Sequence, residues 1–155
     1  MLYPWVADFT EYFESPYKIL RWLAWLNSSY PVPLRKKVQV FRSISDFHTD
    51  NQTVVTIGTF DGVHMGHRRI IKQLVDESAE GESTLLTFFP HPRMVLQGIS
   101  SVTLLNTIDE RIALLREAGI ENLIVHPFDA TFANLDAEEF VARILVQKLK
   151  IRKII

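Results

Sequence analysis

The chain has 155 residues, 47% hydrophobic and 23% charged, with a formal net charge of −1. That length suits one domain with a real core, and the charge balance excludes general electrostatic attraction to nucleic acid or anionic membrane. The absence of cysteine removes disulfides, thiolate zinc sites and cysteine nucleophiles, and suits a reducing cytoplasm.

No run approaches the roughly 20 apolar residues of a membrane span. The start lacks the basic block, apolar block and cleavage site of a secretory signal. Asp8, Glu11 and Glu14 argue against an organellar transit peptide, so the expected location is the cytoplasm. Residues 1–37 carry all three tryptophans (Trp5, Trp22, Trp25) and four of the seven prolines. Ile19, Leu20, Leu23 and Leu26 recur there at helical spacing, which predicts an appended helix, unless the segment is upstream sequence read from too early a start codon. A membrane-surface or partner-binding helix is the alternative. Pro31-Val32-Pro33 and Arg35-Lys36-Lys37 read as a linker, so the folded domain is expected to occupy residues 38–155.

Val38–Phe41 alternates like a strand, and a short turn or helix through Ile44–Phe47 follows. Thr53–Ile57 is almost continuously apolar, as a strand covered on both faces should be. Next comes Gly58-Thr59-Phe60-Asp61-Gly62-Val63-His64-Met65-Gly66-His67, which reads as a strand-to-helix turn. Ile70, Ile71, Leu74 and Val75 predict the apolar stripe of the helix behind it, ending by Gly81. Thr84–Phe89 is the next strand, stopped by Pro90-His91-Pro92. Residues 93–106 are expected to form a long connection. Thr107-x-x-Glu110 is a capping box for a helix buried through Ile108, Ile112, Leu115 and Leu114, and ended by Gly119. Leu123–Val125 is a third buried strand. Asp136 and Glu139 repeat the capping pattern ahead of Phe140, Val141, Ile144, Leu145 and Leu149, an amphipathic helix. The basic residues at 148–153 read as that helix's solvated face. Lys153-Ile154-Ile155 looks like the start of a fourth strand, which suggests a domain cut short.

Alternating strands and helices predict an α/β fold, a doubly wound parallel sheet. Ligands of such sheets bind outside the carboxyl ends of the strands. Gly58–His67, Pro90–Arg93 and His126–Asp129 each follow a strand, so all three polar clusters are expected on one edge.

Glycines let a backbone or a ligand approach closely. A helix start offers free N–H groups and a positive dipole end, and His64 and His67 add donors that suit phosphate oxygens. Gly58–His67 therefore reads as a polyphosphate cradle. A metal site is the competing reading, with His91 as a third ligand, but no cysteine or glutamate stands near by in a zinc spacing. The Walker P-loop, the dinucleotide fingerprint and the serine-nucleophile elbow are all missing. Asp61 either orients a histidine or closes a turn hydrogen bond, the turn being favoured.

These residues resemble the HxGH nucleotidyltransferases. With Thr87-Phe88-Phe89-Pro90-His91-Pro92-Arg93, Leu104-Leu105, Val125-His126-Pro127-Phe128 and Ala137–Val141, the pattern is similar to that of the prokaryotic FAD synthetases. Those are bifunctional riboflavin kinase/FMN adenylyltransferases. The resemblance runs from about Val38 to Ile155. It implies a Rossmann-like nucleotidyltransferase domain that moves AMP from ATP to FMN, giving FAD and pyrophosphate, with Mg2+ accompanying ATP. His64 and His67 would be the catalytic donors. Gly58, Thr59, Phe60, Asp61, Gly62 and Gly66 would join them around ATP. Pro90, His91, Pro92, Arg93 and Phe128 would face FMN. For Arg93 the alternative is a solvated loop charge, and for Phe128 and Phe132 it is core packing.

The family's later glycine/aspartate/phenylalanine segment and Ser-Ser/Thr-x-Ile-Arg motif are not in this sequence, nor is a riboflavin kinase domain. A fragment with only weak nucleotide binding is therefore the alternative reading. A sister enzyme with another phosphorylated acceptor is a third, disfavoured by Pro90-His91-Pro92. Nothing in the sequence sets the oligomeric state.

Overall fold

The computed structural model describes residues 37–98 and 102–155, and in it the strands alternate with helices along the chain. The N-terminal helix and most of the linker expected in residues 1–37 lie outside the described residues. Five strands form one sheet: β1 Gln39–Phe41, β2 Thr53–Ile57, β3 Glu82–Phe88, β4 Asn122–His126 and β5 Ile151–Ile154. Their spatial order is β1-β4-β3-β2-β5, and every neighbouring pair is parallel. From β2 the chain steps through β3 to β4, then returns to lay β5 on the other side of β2. The winding reverses between β2 and β5, so a crevice is expected outside their carboxyl ends.

Side chains of a strand point alternately to opposite faces, and here both faces are filled. Val54, Leu85 and Leu123 pack with Ile71 and Leu74 of α1 (Met65–Glu77). Beyond α2 (Pro92–Gln97), Ile112 and Leu115 of α3 (Ile108–Glu117) join the same layer. The adjacent residues Val55, Leu86 and Ile124 pack the other way, with Ile44, Phe47, Leu145 and Leu149. Each such side chain contributes about 1.5–3 kcal/mol through burial. That is why short apolar runs, not alternating ones, became the central strands.

After α4 (Ala130–Ala133), the last helix, α5, opens with one α-turn at Ala137–Glu139. Its Asp136 cap accepts the Glu139 N–H at 2.7 Å, as the capping pattern predicts. From Phe140 to Lys148 it winds more loosely, as a π-helix that ends with the Leu149 N–H on the Ile144 carbonyl at 2.9 Å. The looser winding keeps Phe140, Ile144, Leu145 and Leu149 inward, at steps of four or five. Val141, expected on the buried face, is turned out and 48% exposed.

Three further expectations need correction. Ile70 lies outside the stripe at 39% exposure, because Ile71 and Leu74 alone face the sheet squarely. The connection after Pro90 is not all loop, since α2 begins at Pro92. Proline is compatible with the first helical position, where no N–H partner is needed. His91 caps α2 by accepting the Arg93 N–H at 3.1 Å, and Gly98 leaves it at φ +61°. Finally, Arg152 and Lys153 belong to β5 rather than to a helix face. They tie that strand to Glu77 at the end of α1 and to Glu80 in the turn beyond it.

Candidate functional site

Because the strands are parallel, the turns after β2, β3 and β4 open on the same edge. The first turn is braced by its neighbour. Gly58 donates its N–H to the Leu86 carbonyl at 3.1 Å, and Thr87 donates its hydroxyl to the Thr59 carbonyl at 3.0 Å. The chain then makes a tight 3-10 turn over Asp61–Val63. Phe60 (φ +49°), Gly62 (φ +77°) and Val63 (φ +38°) all lie in the left-handed region. For a β-branched residue such as Val63 this is strained backbone, which persists only when its surroundings over-determine it. Here they do: Phe60 and Val63 are each 3% exposed within the core. Phe60 thus shapes the turn from inside, its ring buried and not free to meet a ligand.

Asp61 holds the turn from the other side. Its carboxylate accepts the Leu105 N–H at 3.0 and 3.1 Å, the Asn106 N–H at 3.2 Å, and Nη2 of Arg111 at 3.4 Å. Neither expected role, orienting a histidine or closing a local turn, describes it. Asp61 fastens the turn after β2 to the loop and helix that begin some 44 residues later. Gly62 sits under the same loop, where a Cβ would come within 2.6 Å of Leu105 Cδ1.

The turn delivers the two histidines to the start of α1. Their rings stack, with centroids 3.8 Å apart and 23° between planes, and Phe60 lies 5.0 Å from His67. Gly66 leaves room for this, since a Cβ there would lie 3.1 Å from the His64 ring. His64 is exposed, whereas Nδ1 of His67 is buried with no hydrogen-bond partner. Burial, then the neighbouring His64, lowers the pKa of His67 below 6.5; Asp61 opposes the fall and Arg111 adds to it. The enclosure thus favours the neutral form of the ring.

On the next strand, a cis peptide joins Phe89 to Pro90. His91 is half-buried, and its pKa is lowered by burial, then by Arg111 and Arg93, with Asp61 opposing. The charges of Asp61 and Arg111 thus act on both motif loops. Arg93 is exposed in the first turn of α2, where nothing in the described residues claims its charge. At the end of β4, His126 accepts the Ile44 N–H at Nδ1, 3.2 Å away, and burial lowers its pKa. It secures the turn that follows β1. Phe128 packs edge-on against Phe88 at 5.4 Å and Phe132 tilted against it at 5.6 Å, so core packing describes both, with part of each ring still accessible.

Sequence reasoning missed Arg111. It is 1% exposed in the middle of the apolar face of α3, and burial lowers its pKa while Asp61 raises it. The signal was present, because Arg111 stands three residues after Ile108 and four before Leu115, on the stripe itself. Among the described residues no three His, Cys, Asp or Glu side chains converge as a metal-binding group. No helix there is long and apolar enough to cross a membrane.

A structure of a macrolide-efflux protein from Streptococcus pneumoniae superposes with a TM-score of 0.65, over 76% of this chain and 41% of the other, at 24% identity. That likeness supports the fold alone. Bifunctional riboflavin kinase/FMN adenylyltransferases are closer in sequence. The protein of that name from Buchnera aphidicola subsp. Schizaphis graminum is 32% identical over 108 residues, 68% of this chain and 35% of its own. The one from Listeria monocytogenes is 33% identical over 105 residues, 66% of this chain and 33% of its own. The chain thus spans about a third of the length of these curated relatives. The FAD synthetase family model matches residues 46–155. With the motif loops in place on the strand edge where such a site must lie, the chain belongs to the FAD synthetase family.

Proposed function

We propose that this domain, residues 38–155, carries out the FMN adenylyltransferase step of FAD synthesis in the cytoplasm. The FMN phosphate attacks the α-phosphorus of ATP in line, the bond to the bridging oxygen breaks, and FAD and pyrophosphate leave. No covalent enzyme intermediate is needed, so the protein's work is positioning and charge stabilisation.

The observation that carries the reading is the stacked pair His64–His67 at the start of α1, beside the strand-order reversal. Two imidazoles 3.8 Å apart can donate to neighbouring phosphate oxygens as negative charge builds on the leaving pyrophosphate. Each well-placed donor of this kind is worth about 10²–10³ in rate. Gly58, Thr59, Phe60, Asp61, Gly62 and Gly66 shape the backbone that receives ATP. Pro90, His91, Pro92, Arg93 and the accessible edge of Phe128 form the FMN side. Mg2+ bound to the ATP phosphates would supply charge neutralisation there.

The test is to incubate the chain with ATP, FMN and Mg2+ and to detect FAD by chromatography. FAD formation that is lost in His64→Ala and His67→Ala supports the reading. ATP binding without FAD formation, itself abolished by both substitutions, would replace adenylyl transfer with nucleotide binding alone.

A further inference from the structure

The first turns of α1 run against the usual charge preference of a helix. The positive end of the dipole favours acids and disfavours cations, yet α1 has no acid in its first turn. His64, His67, Arg68 and Arg69 stand at that end instead. Positive side chains gathered on a positive dipole end are destabilising unless an anion joins them.

Arg68 is the member whose side chain the fold directs. Its backbone N–H donates to the His64 carbonyl at 3.0 Å, so the two residues are neighbours on one side of the helix. Side chains of a helix lean toward its N-terminus, and Nε of Arg68 donates back to the Val63 carbonyl at 3.4 Å. Val63 is the strained residue, at φ +38°, immediately before His64. The guanidinium is thus folded over the turn that delivers the stacked histidines. Arg68 is exposed, and among the described residues no carboxylate pairs with it. Arg69 is exposed as well, but nothing in the described residues ties it to the turn.

We propose that Arg68 is a further phosphate-binding residue of the site: held over the turn by its bond to Val63, it receives two oxygens of the departing pyrophosphate on Nη1 and Nη2, beside the donors of His64 and His67. A tether to one carbonyl does not need arginine, since any side-chain N–H of suitable length makes it. What arginine adds, with Nε engaged, is the remaining pair of parallel N–H bonds, which matches two oxygens of a phosphate. It also supplies a permanent charge, whereas a neutral imidazole gives one donor and no charge. As the FMN phosphate bonds to the α-phosphorus, the bond to the bridging oxygen breaks and its electron pair stays on the pyrophosphate. A fixed cation is most effective where that charge develops.

The inference rests on the adenylyl-transfer reading for the identity of the anion, but its test does not depend on turnover. Binding of inorganic pyrophosphate and of AMP is measured by titration calorimetry on the full chain and on Arg68→Gln, Arg68→Lys and Arg69→Gln. Glutamine keeps an N–H for the Val63 carbonyl and loses the charge and the fork; lysine keeps the charge alone. Pyrophosphate affinity should fall about 10–100-fold in Arg68→Gln, the range for losing a hydrogen bond to a charged group. It should fall less in Arg68→Lys and stay near the parent in Arg69→Gln. AMP, which lacks the pyrophosphate portion, should bind Arg68→Gln as it binds the parent. If FAD forms, kcat/KM for ATP should fall in Arg68→Gln while KM for FMN stays near the parent value.

A purely structural tether predicts that Arg68→Gln binds pyrophosphate like the parent, and that result would overturn the proposal. So would an equal loss in Arg69→Gln, which would reduce the effect to general charge, or an equal loss for AMP. Absence of pyrophosphate binding by the parent chain would overturn it outright. Pyrophosphate binding that depends on Arg68, without FAD formation, would refute adenylyl transfer and leave the anion site standing. FAD formation indifferent to Arg68 would do the reverse.

Discussion

Nη2 of Arg111 lies 3.4 Å from Oδ1 of Asp61, across 50 positions of the chain, with the arginine side chain 1% exposed and the aspartate 20%. The pair joins the first turn of the candidate site to the face of α3, and the two partners are not equivalent. Asp61 without Arg111 keeps its backbone N–H donors from Leu105 and Asn106. Arg111 without Asp61 has no ion pair in the described residues.

Removing the aspartate should therefore cost more than removing the arginine. Asp61→Ala leaves an unpaired buried charge, for which about 3–5 kcal/mol is typical, here toward the lower end because Asp61 is partly solvated. Arg111→Met should cost less, and adding it to Asp61→Ala should recover stability. Urea denaturation of the single and double variants measures the difference. A double variant weaker than Asp61→Ala alone would contradict this account.

Gly66→Ala separates stability from activity. Alanine is the better helix former by about 0.5–1 kcal/mol, so the fold should hold or strengthen slightly. Its Cβ would press on the His64 ring from 3.1 Å, disturbing the stacked pair. FAD formation should fall about 100-fold, as expected for a misplacement near 1 Å. Thermal unfolding measured with the rate checks both halves.

Gly62→Ala should behave differently, since it puts a Cβ on backbone at φ +77° and within 2.6 Å of the Leu105 side chain. Leu105 is 73% exposed and its end can move, so the cost is mainly conformational, about 1–2 kcal/mol. Adding Leu105→Ala should recover little. A large recovery in chemical denaturation would mean that the clash had dominated.

Stability should fall as pH drops. His67, His91 and His126 all have folded-state pKa values lowered from 6.5, in each case chiefly by burial. The unfolded chain therefore binds more protons than the folded one just below that value. Stability is then fully present above pH 6.5 and lost as pH falls through the unfolded value toward the folded ones. His126→Gln should flatten part of this dependence, because protonation of His126 competes with its bond from the Ile44 N–H. Melting curves from about pH 7.5 down to about pH 5 test the slope.

Thr107→Ala should cost about 1 kcal/mol through its cap. The Thr107 N–H reaches Glu110 at 2.8 Å, and the Thr107 hydroxyl accepts the Glu110 N–H at 3.3 Å. Since this cap begins the helix that carries Arg111, the loss should also loosen the turn at Asp61. Hydrogen exchange at the Leu105 and Asn106 amides would report it.

Local features were legible from the sequence because local physics produces them. The run Thr53–Ile57 read as a two-sided strand, Thr107 and Glu110 as a capping box, and Gly58–His67 as a strand-to-helix turn. Each rests on side-chain pattern or backbone preference within a few residues, and each is present in the fold. Alternation of strands and helices was enough to put the three motif loops on one edge. The sequence also contained the short helix at Pro92, but its two prolines read as a stop, while one of them serves as a helix start.

Only the tertiary structure decided what Asp61 and Arg111 do. Asp61 has ordinary turn residues on either side, so its neighbours suggest a local bond, yet its partners lie 44 to 50 residues away. They meet because β3 and the chain leading to α3 must pass before α3 can pack beside α1, a matter of strand order rather than propensity. The same packing stacks His64 on His67, buries Nδ1 of His67 and turns Phe60 inward. Residue type and spacing made these positions candidates, whereas burial and long-range contacts, which no local window contains, decided which of them are enclosed and which stay exposed.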